Sequence, residues 1–150
     1  MRRTSAAVIA VLIVLLSMTG CSVGPMESAE GNVHVTLPVR HEAVTLRKQA
    51  DGSWTGIVHT TGVARAFEAM VSWQTTMKIA GSTVSLGQGS FMTSAGAPEF
   101  GTFDQALVLS SPASGPTPVG SATLRIFISS MKDGSQQDIV DIPLILHTKR

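Results

Sequence analysis

From Asn32 onward, apolar residues recur at every second position in short runs, and turn-forming residues separate the runs. This period of two is typical of β-strands that bury one face, whereas an amphipathic helix repeats its apolar positions every three to four residues. The predicted strands are NVHVTLP, EAVTLRK, SWTGIVHT, ARAFEAMVSW, TMKIA, TVSL, GTFDQALVL, SATLRIFISS and DIVDIPLILH. Many short strands at this spacing predict an all-β sandwich or barrel.

The alternation also predicts which side chains form the core. On the strand ARAFEAMVSW it points Phe67 inward and Glu68 outward, together with Ala66 and Met70. Glu68 is therefore expected to be an outward-facing carboxylate that is either solvated or paired with a cation such as Arg125, and it has no acid/base partner that would make it a catalyst. The core positions predicted in the same way are Phe67, Val71, Trp73, Phe103, Leu107, Leu124, Ile126, Ile128, Ile142 and Leu144.

Glycine and proline mark the connections between these strands. Gly81-Ser82 is predicted to form a tight turn between two strands, and SSPASGPTPVG is predicted to be a long connection such as a sandwich crossover. Pro143 has no amide proton to give to a β-ladder, so the last strand is expected to be an edge or a bulge at that residue.

The N-terminal segment has the features of an export signal. Arg2 and Arg3 precede the apolar run Ala6–Leu16, which suits a signal peptide and is short of the roughly 20 residues that a membrane-spanning helix needs. The segment ends in MTGC, which resembles the lipobox of bacterial lipoproteins and contains the one cysteine of the chain, Cys21.

The lipobox resemblance implies cleavage before Cys21 and attachment of lipid to its sulfur. The expected organisation is a signal peptide over residues 1–20, a flexible tether over 21–31 and one domain over 32–150. An uncleaved anchor and an ordinary secretory signal are the alternatives. Each of the three places the domain outside the cytoplasm, and lipidation would place it at the outer face of the cytoplasmic membrane.

Charge and cysteine content narrow the classes of partner. Removing Arg2 and Arg3 from the 11 Lys and Arg leaves 9, against 10 Asp and Glu, and no basic cluster exceeds the terminal Lys149-Arg150. Nucleic-acid binding requires a basic face, so no nucleic-acid partner is expected. A single cysteine cannot form a disulfide within the chain.

Motifs for catalysis or cofactor binding are incomplete in this sequence. His41-Glu42 lacks the second histidine of a zinc-protease motif, and the S-x-x-K match at Ser129 lacks the companion motifs of that chemistry. The four histidines are scattered, and Asp133, Asp138 and Asp141 lack the spacing of a calcium loop. No catalytic residue, cofactor site or metal site is therefore predicted.

Three segments taken in order resemble the immunoglobulin-like domain of bacterial spore germination. They are GVARAFEAMVSW, SAGAPEFGTFDQALVL and SATLRIFISSMKDGSQQDIVDIPLIL, within residues 62–146. The residues that match the family pattern are Gly62, Ala64, Phe67, Glu68, Ala69, Gly101, Phe103, Ser130, Asp133 and Gly134. The stretch before Gly62 departs from the Pro- and Gly-containing run that commonly opens such domains.

The resemblance implies an extracytoplasmic, immunoglobulin-like antiparallel β-sandwich without catalytic residues. Together with the lipobox, it favours a lipid-anchored binding or scaffolding module of the cell envelope. Its expected partners are the membrane, through lipid on Cys21, and an envelope protein or cell-wall polymer. A cell-wall hydrolase and a carrier of small ligands remain alternatives. Spore germination is connected to the chain by the family name alone, and similarity of fold does not establish function.

Overall fold

The computed structural model of the protein describes residues 24–149, so Cys21 and the predicted signal peptide lie outside the described residues. The described part is nearly all β-structure, as predicted. Its strands are β1 (Met26–Glu27), β2 (Val33–Leu37), β3 (Glu42–Lys48), β4 (Trp54–Ala64), β5 (Met70–Ile79), β6 (Ser82–Met92), β7 (Gly101–Ser111), β8 (Gly120–Ser129) and β9 (Gln136–Lys149). Within residues 24–149, no helix has the length and apolar character that crossing a bilayer requires.

The strands form one open sheet that is consistent with an immunoglobulin-like sandwich. β4 pairs with β7 along its full length, and its other side pairs with β2 near Ala64 and with β3 near Trp54. β3 then runs beside β9, and the sheet continues through β8, β5 and β6. All pairings are antiparallel except that of β3 with β9. β3 therefore connects the β1-β2-β4-β7 half of the sheet to the β9-β8-β5-β6 half.

One hydrophobic core contains side chains from both halves of the sheet. The alternation in β7, β8 and β9 is confirmed, and it supplies many of the fully buried residues. The predicted core positions that are buried are Val71, Trp73, Phe103, Leu107, Leu124, Ile126, Ile142 and Leu144, while Ile128 is half-buried against them. Trp54, which the sequence left unplaced, also belongs to this core.

The prediction that Phe67 is a core residue is wrong. Its side chain is 62% exposed, whereas Ala66 is fully buried. The chain makes a tight helical turn at Phe67–Ala69, and β5 begins only at Met70. Glu68 and Ala69 have φ values of 53° and 59°, so two left-handed residues interrupt the extended backbone. The period-two pattern therefore changes phase before Met70, and Ala66 rather than Phe67 points inward.

Part of the predicted tether belongs to the folded domain. Met26 is buried and lies opposite Val35 in the β1–β2 pair. The Ser28 hydroxyl oxygen accepts hydrogen bonds from the amides of Asn32 and Val33, and the Ser28 hydroxyl donates to Asp138 at 3.2 Å. The ordered domain thus begins at Met26, because burial of this methionine and the Ser28 hydrogen bonds attach the segment to the sheet.

The connections between strands largely follow the turn signals. The β5–β6 turn is formed by Ala80 and Gly81, both with positive φ, one residue earlier than predicted. Residues 112–119 form the predicted long connection, between β7 and β8. Pro143 lies where β9 meets the start of β3, and its carbonyl accepts a hydrogen bond from the His41 amide at 2.6 Å. Pro143, which has no amide proton, therefore lies at the end of the ladder that β9 forms with β3.

We expect Phe67→Ala to lower the free energy of unfolding by less than about 0.5 kcal/mol, because changes at exposed positions away from special features stay within that range. Urea unfolding monitored by circular dichroism measures the change. Phe67→Leu serves as the conservative control and should behave like the wild type. A loss of about 3 kcal/mol, which is typical of a buried phenylalanine, would show that the ring belongs to the core after all.

Candidate functional site

The Phe67–Ala69 turn is fixed by the loop that connects β6 to β7. The Ala69 carbonyl accepts hydrogen bonds from the Thr93 amide at 2.8 Å and the Thr93 hydroxyl at 3.1 Å. The Ala66 carbonyl accepts one from the Ala97 amide at 2.8 Å. Left-handed backbone at non-glycine residues costs on the order of 1 kcal/mol or more per residue and persists where the surroundings enforce it. These bonds hold the turn in place, with Phe67 exposed.

Phe67 stands at one end of a groove on the outer surface of β5, β6 and β8. A small depression of about 120 Å³ is lined by Phe67, Glu68, Met70, Ser72, Ser90, Ser129 and Met131. A larger depression of about 460 Å³ has the same three serines in its lining. The two depressions are therefore continuous, and we call them together the outer groove.

Uncharged polar side chains dominate the larger part of the outer groove. Strand pairing places Ser72 between Ser90 of β6 and Phe127 of β8, and places Gln74 between Gln88 and Arg125. Gln136 of β9 lies opposite Ser129 and completes the lining. Phe127 belongs to the same outward row, yet only 8% of it is exposed. The groove thus combines hydroxyl and amide groups with one nearly buried aromatic ring.

Arg125, which contacts the lining of the large depression through Gln136, is neutralised by a carboxylate. Arg125 donates to both carboxylate oxygens of Asp141, at 2.7 and 2.8 Å, and also to the Gln136 side-chain oxygen at 2.9 Å. The hydrogen bond that Arg125 donates to the Asp141 carboxylate raises the pKa of Arg125 above its ordinary value. The predicted pairing of Glu68 with Arg125 is therefore wrong, because Arg125 lies opposite Asp141 across β8 and β9 while Glu68 sits in the turn before β5.

The family-pattern residues gather at the end of the sandwich that holds Phe67. Phe67 and Glu68 line the small depression, and Gly134 lines the large one. Asp133 shapes the β8–β9 turn beside Gly134 by accepting hydrogen bonds from the Ser135 hydroxyl at 2.8 Å and the Ser135 amide at 3.1 Å. The Ser135 hydroxyl, followed by the Ser135 amide and the Ser130 side chain, holds the pKa of Asp133 below its ordinary value.

The small residues of the family pattern allow close packing of β4, β7 and the β6–β7 loop, which holds the Phe67–Ala69 turn. Gly62 lies opposite Phe103 in the β4–β7 pair, and a Cβ atom at Gly62 would overlap the His34 carbonyl oxygen and the Phe103 ring. A Cβ atom at Gly101 would overlap the backbone of Ala95, in the loop that fastens the turn. Ala64, opposite Gly101, is fully buried. These positions need small side chains so that β4, β7 and the loop can pack closely.

Sequence reasoning missed the serines and glutamines of the outer groove. Ser72 and Ser129 occupy outward positions of predicted strands, but Gln74, Gln88, Ser90 and Gln136 lie outside the predicted strands. In the structure, Ser72 and Gln74 of β5 are half-buried, and Gln88 and Ser90 of the neighbouring β6 are exposed. Polar residues at such positions are also expected on any solvated sheet face, so the pattern alone did not distinguish a groove.

The scattered histidines and aspartates do not converge on the outer groove. His34 lies 3.0 Å from Glu27 and His59 lies 3.4 Å from Asp104, but neither pair is among the residues that line it. Asp138 binds Ser28 and Asn32, away from Asp141 and its arginine. Among residues 24–149, no group of three or more His, Cys, Asp or Glu side chains is placed to hold a metal ion.

The fold and the groove define a small immunoglobulin-like domain with a concave polar surface beside a strained turn. The sequence model of one known family, the immunoglobulin-like domain of bacterial spore germination, matches residues 32–135, which is more than half of the chain. The chain therefore belongs to this family. The match covers β2 to β8 and includes the strands before Gly62. A comparison with curated proteins gave no significant match.

Proposed function

We propose that this protein is a lipid-anchored, non-catalytic binding module of the bacterial cell envelope, and that the outer groove is its binding surface. The observation that carries the proposal is the fixed turn at Glu68 and Ala69, which holds Phe67 exposed beside a polar groove. Strained backbone of this kind is found preferentially at functional sites. Three family-pattern residues, Phe67, Glu68 and Gly134, line the same groove.

The path of the chain supports an orientation for this module. β1 runs antiparallel to β2, with Met26 opposite Val35 and Glu27 opposite His34, so β1 runs toward the end of the sandwich that carries Phe67. Four residues lie between Cys21 and Met26, and the five steps from one Cα atom to the next can span at most about 18 Å. A lipid on Cys21 would thus keep the domain close to the membrane, with the Phe67 end directed toward the rest of the envelope.

A matched pair of arginine substitutions tests the binding surface. Ser129 and Ser121 lie on the same outward face of β8, but Ser129 lines the outer groove and Ser121 lies at the opposite end of the strand. Full-length wild-type protein should retain a partner in pull-downs from solubilised membranes or in sedimentation with cell-wall material. We expect Ser129→Arg to reduce this retention at least tenfold and Ser121→Arg to leave it unchanged.

Both variants are exposed at the substituted position, and thermal melting checks that they fold. Retention of every partner by a folded Ser129→Arg variant would show that binding occurs elsewhere on the protein. Absence of any partner for the wild type in both assays would contradict the binding function itself.

A further inference from the structure

Beyond the general binding function, and resting on it, we infer that the outer groove binds an uncharged glycan chain. The first support is the chemistry of the lining. Hydroxyls of Ser72, Ser90 and Ser129 and amides of three glutamines can each donate and accept hydrogen bonds. The hydroxyl groups of a sugar have the same dual capacity, so such a surface can satisfy them in several orientations. An ionised phosphate only accepts hydrogen bonds and would be matched by a more one-sided set of donors.

The second support is the absence of net charge within the described lining of the large depression. Arg125, which donates a hydrogen bond to Gln136 of the lining, is paired with Asp141 through two hydrogen bonds. Glu68 lies beside Phe67 in the small depression, at the end of the groove. A ligand that carries phosphates would need unpaired cations at the groove, and a strongly basic ligand would need several carboxylates. A neutral polymer needs neither.

The third support is the placement of two aromatic rings. Phe127 lies in the large depression and is almost buried, whereas Phe67 projects at the other end and is largely exposed. The face of a sugar ring that carries C–H bonds is apolar and can pack flat on an aromatic side chain, which supplies a large apolar surface. Hydroxyl and amide groups between two aromatic contacts suit a chain of sugar units better than one small ligand.

Apart from the Gln136 side-chain oxygen, which accepts a hydrogen bond from Arg125 at 2.9 Å, the polar side chains of the groove make only weak contacts with one another. The contacts between Ser72 and Ser129 and between Gln136 and Gln74 are 3.3 and 3.4 Å long, beyond the usual range of strong hydrogen bonds. Replacing these weak contacts by hydrogen bonds to a ligand therefore costs little free energy. The volume of the large depression, about 460 Å³, lies within the range of established ligand sites.

The test is calorimetric titration of the full-length protein in detergent with defined oligosaccharides. The probes are the hexamer of β-1,4-linked N-acetylglucosamine, which represents cell-wall glycan, and the hexamer of β-1,4-linked glucose, which represents an unacetylated polysaccharide. Poly(glycerol phosphate) is the charged comparison. We expect saturable binding of at least one hexamer and none of the charged polymer, and the preferred hexamer identifies the source of the glycan.

Variants then locate the binding. Ser129→Arg and Phe67→Ala should each weaken binding of the preferred hexamer at least tenfold, while Ser121→Arg should stay within twofold of the wild type. Equal binding by a folded Ser129→Arg variant would overturn the assignment of the glycan to this groove. If the wild type ignores both hexamers while Ser129→Arg still loses an envelope protein in pull-downs, the groove binds protein. That outcome overturns the glycan inference and leaves the proposed binding function standing.

Discussion

Gly101→Ala should lower the free energy of unfolding by about 3 kcal/mol, a large share of the stability of a small domain. The added Cβ atom would overlap the carbonyl oxygen and amide nitrogen of Ala95 and would lie 2.8 Å from the Thr93 hydroxyl oxygen. Backbone atoms cannot move aside as the end of a flexible side chain can. The β6–β7 loop must therefore shift, and the hydrogen bonds from Thr93 to the Ala69 carbonyl must lengthen or break.

Urea unfolding measures this loss, and Gly24→Ala is the matched control. A Cβ atom at Gly24 would meet no other atom within 4 Å, so its substitution should change stability by less than about 0.5 kcal/mol. Because the shifted loop also fastens the Phe67 turn, Gly101→Ala should weaken binding at the outer groove even at temperatures where it remains folded. Equal stability of Gly101→Ala and Gly24→Ala would contradict the close packing of the β6–β7 loop on β7.

Cys21→Ser should abolish lipid labelling and move the protein from the membrane fraction to the soluble fraction, or leave it as an unprocessed precursor. The physical reason is that a serine hydroxyl cannot replace the thiol sulfur that the lipobox resemblance implies as the attachment atom. Radiolabelled fatty acid incorporation and fractionation of cells that express the full chain measure the two effects.

Ser22→Ala controls for a general disturbance of the segment, and it should be labelled and processed like the wild type. Normal lipid incorporation into Cys21→Ser would falsify the lipoprotein prediction. Membrane attachment of the wild-type protein without any lipid labelling would instead favour an uncleaved anchor, one of the alternatives that the sequence leaves open.

The fold was largely predictable because the alternation of apolar residues survives along whole strands. In β9, Val140, Ile142, Leu144 and Leu146 are all buried, as the period of two predicts. Strands of this kind bury one face against the same core, so local pattern and tertiary packing agree. The family resemblance within residues 62–146 pointed to the same architecture, and the family match over residues 32–135 is consistent with it.

The pattern failed where the backbone leaves the extended region. Phe67 has the parity of Val71 and Trp73, which are buried, but Glu68 and Ala69 are left-handed. No glycine or proline marks this turn in the sequence, and the FEA stretch has the appearance of a strand. The turn forms because Thr93 and Ala97, which lie 24 residues after Ala69 and 31 residues after Ala66, supply its hydrogen bonds.

By itself, the sequence determined the strand pattern, most of the core and the small residues Gly62, Ala64 and Gly101 of the family pattern. The strand pattern and the core follow from side-chain alternation, whereas the three small residues were indicated by the family resemblance. Only the tertiary structure decided that Phe67 is exposed and that Phe67, Glu68 and Gly134 meet the serines and glutamines of β5, β6 and β8. That assembly depends on which strands are neighbours, and strand neighbours are set by long-range pairing that no local period encodes.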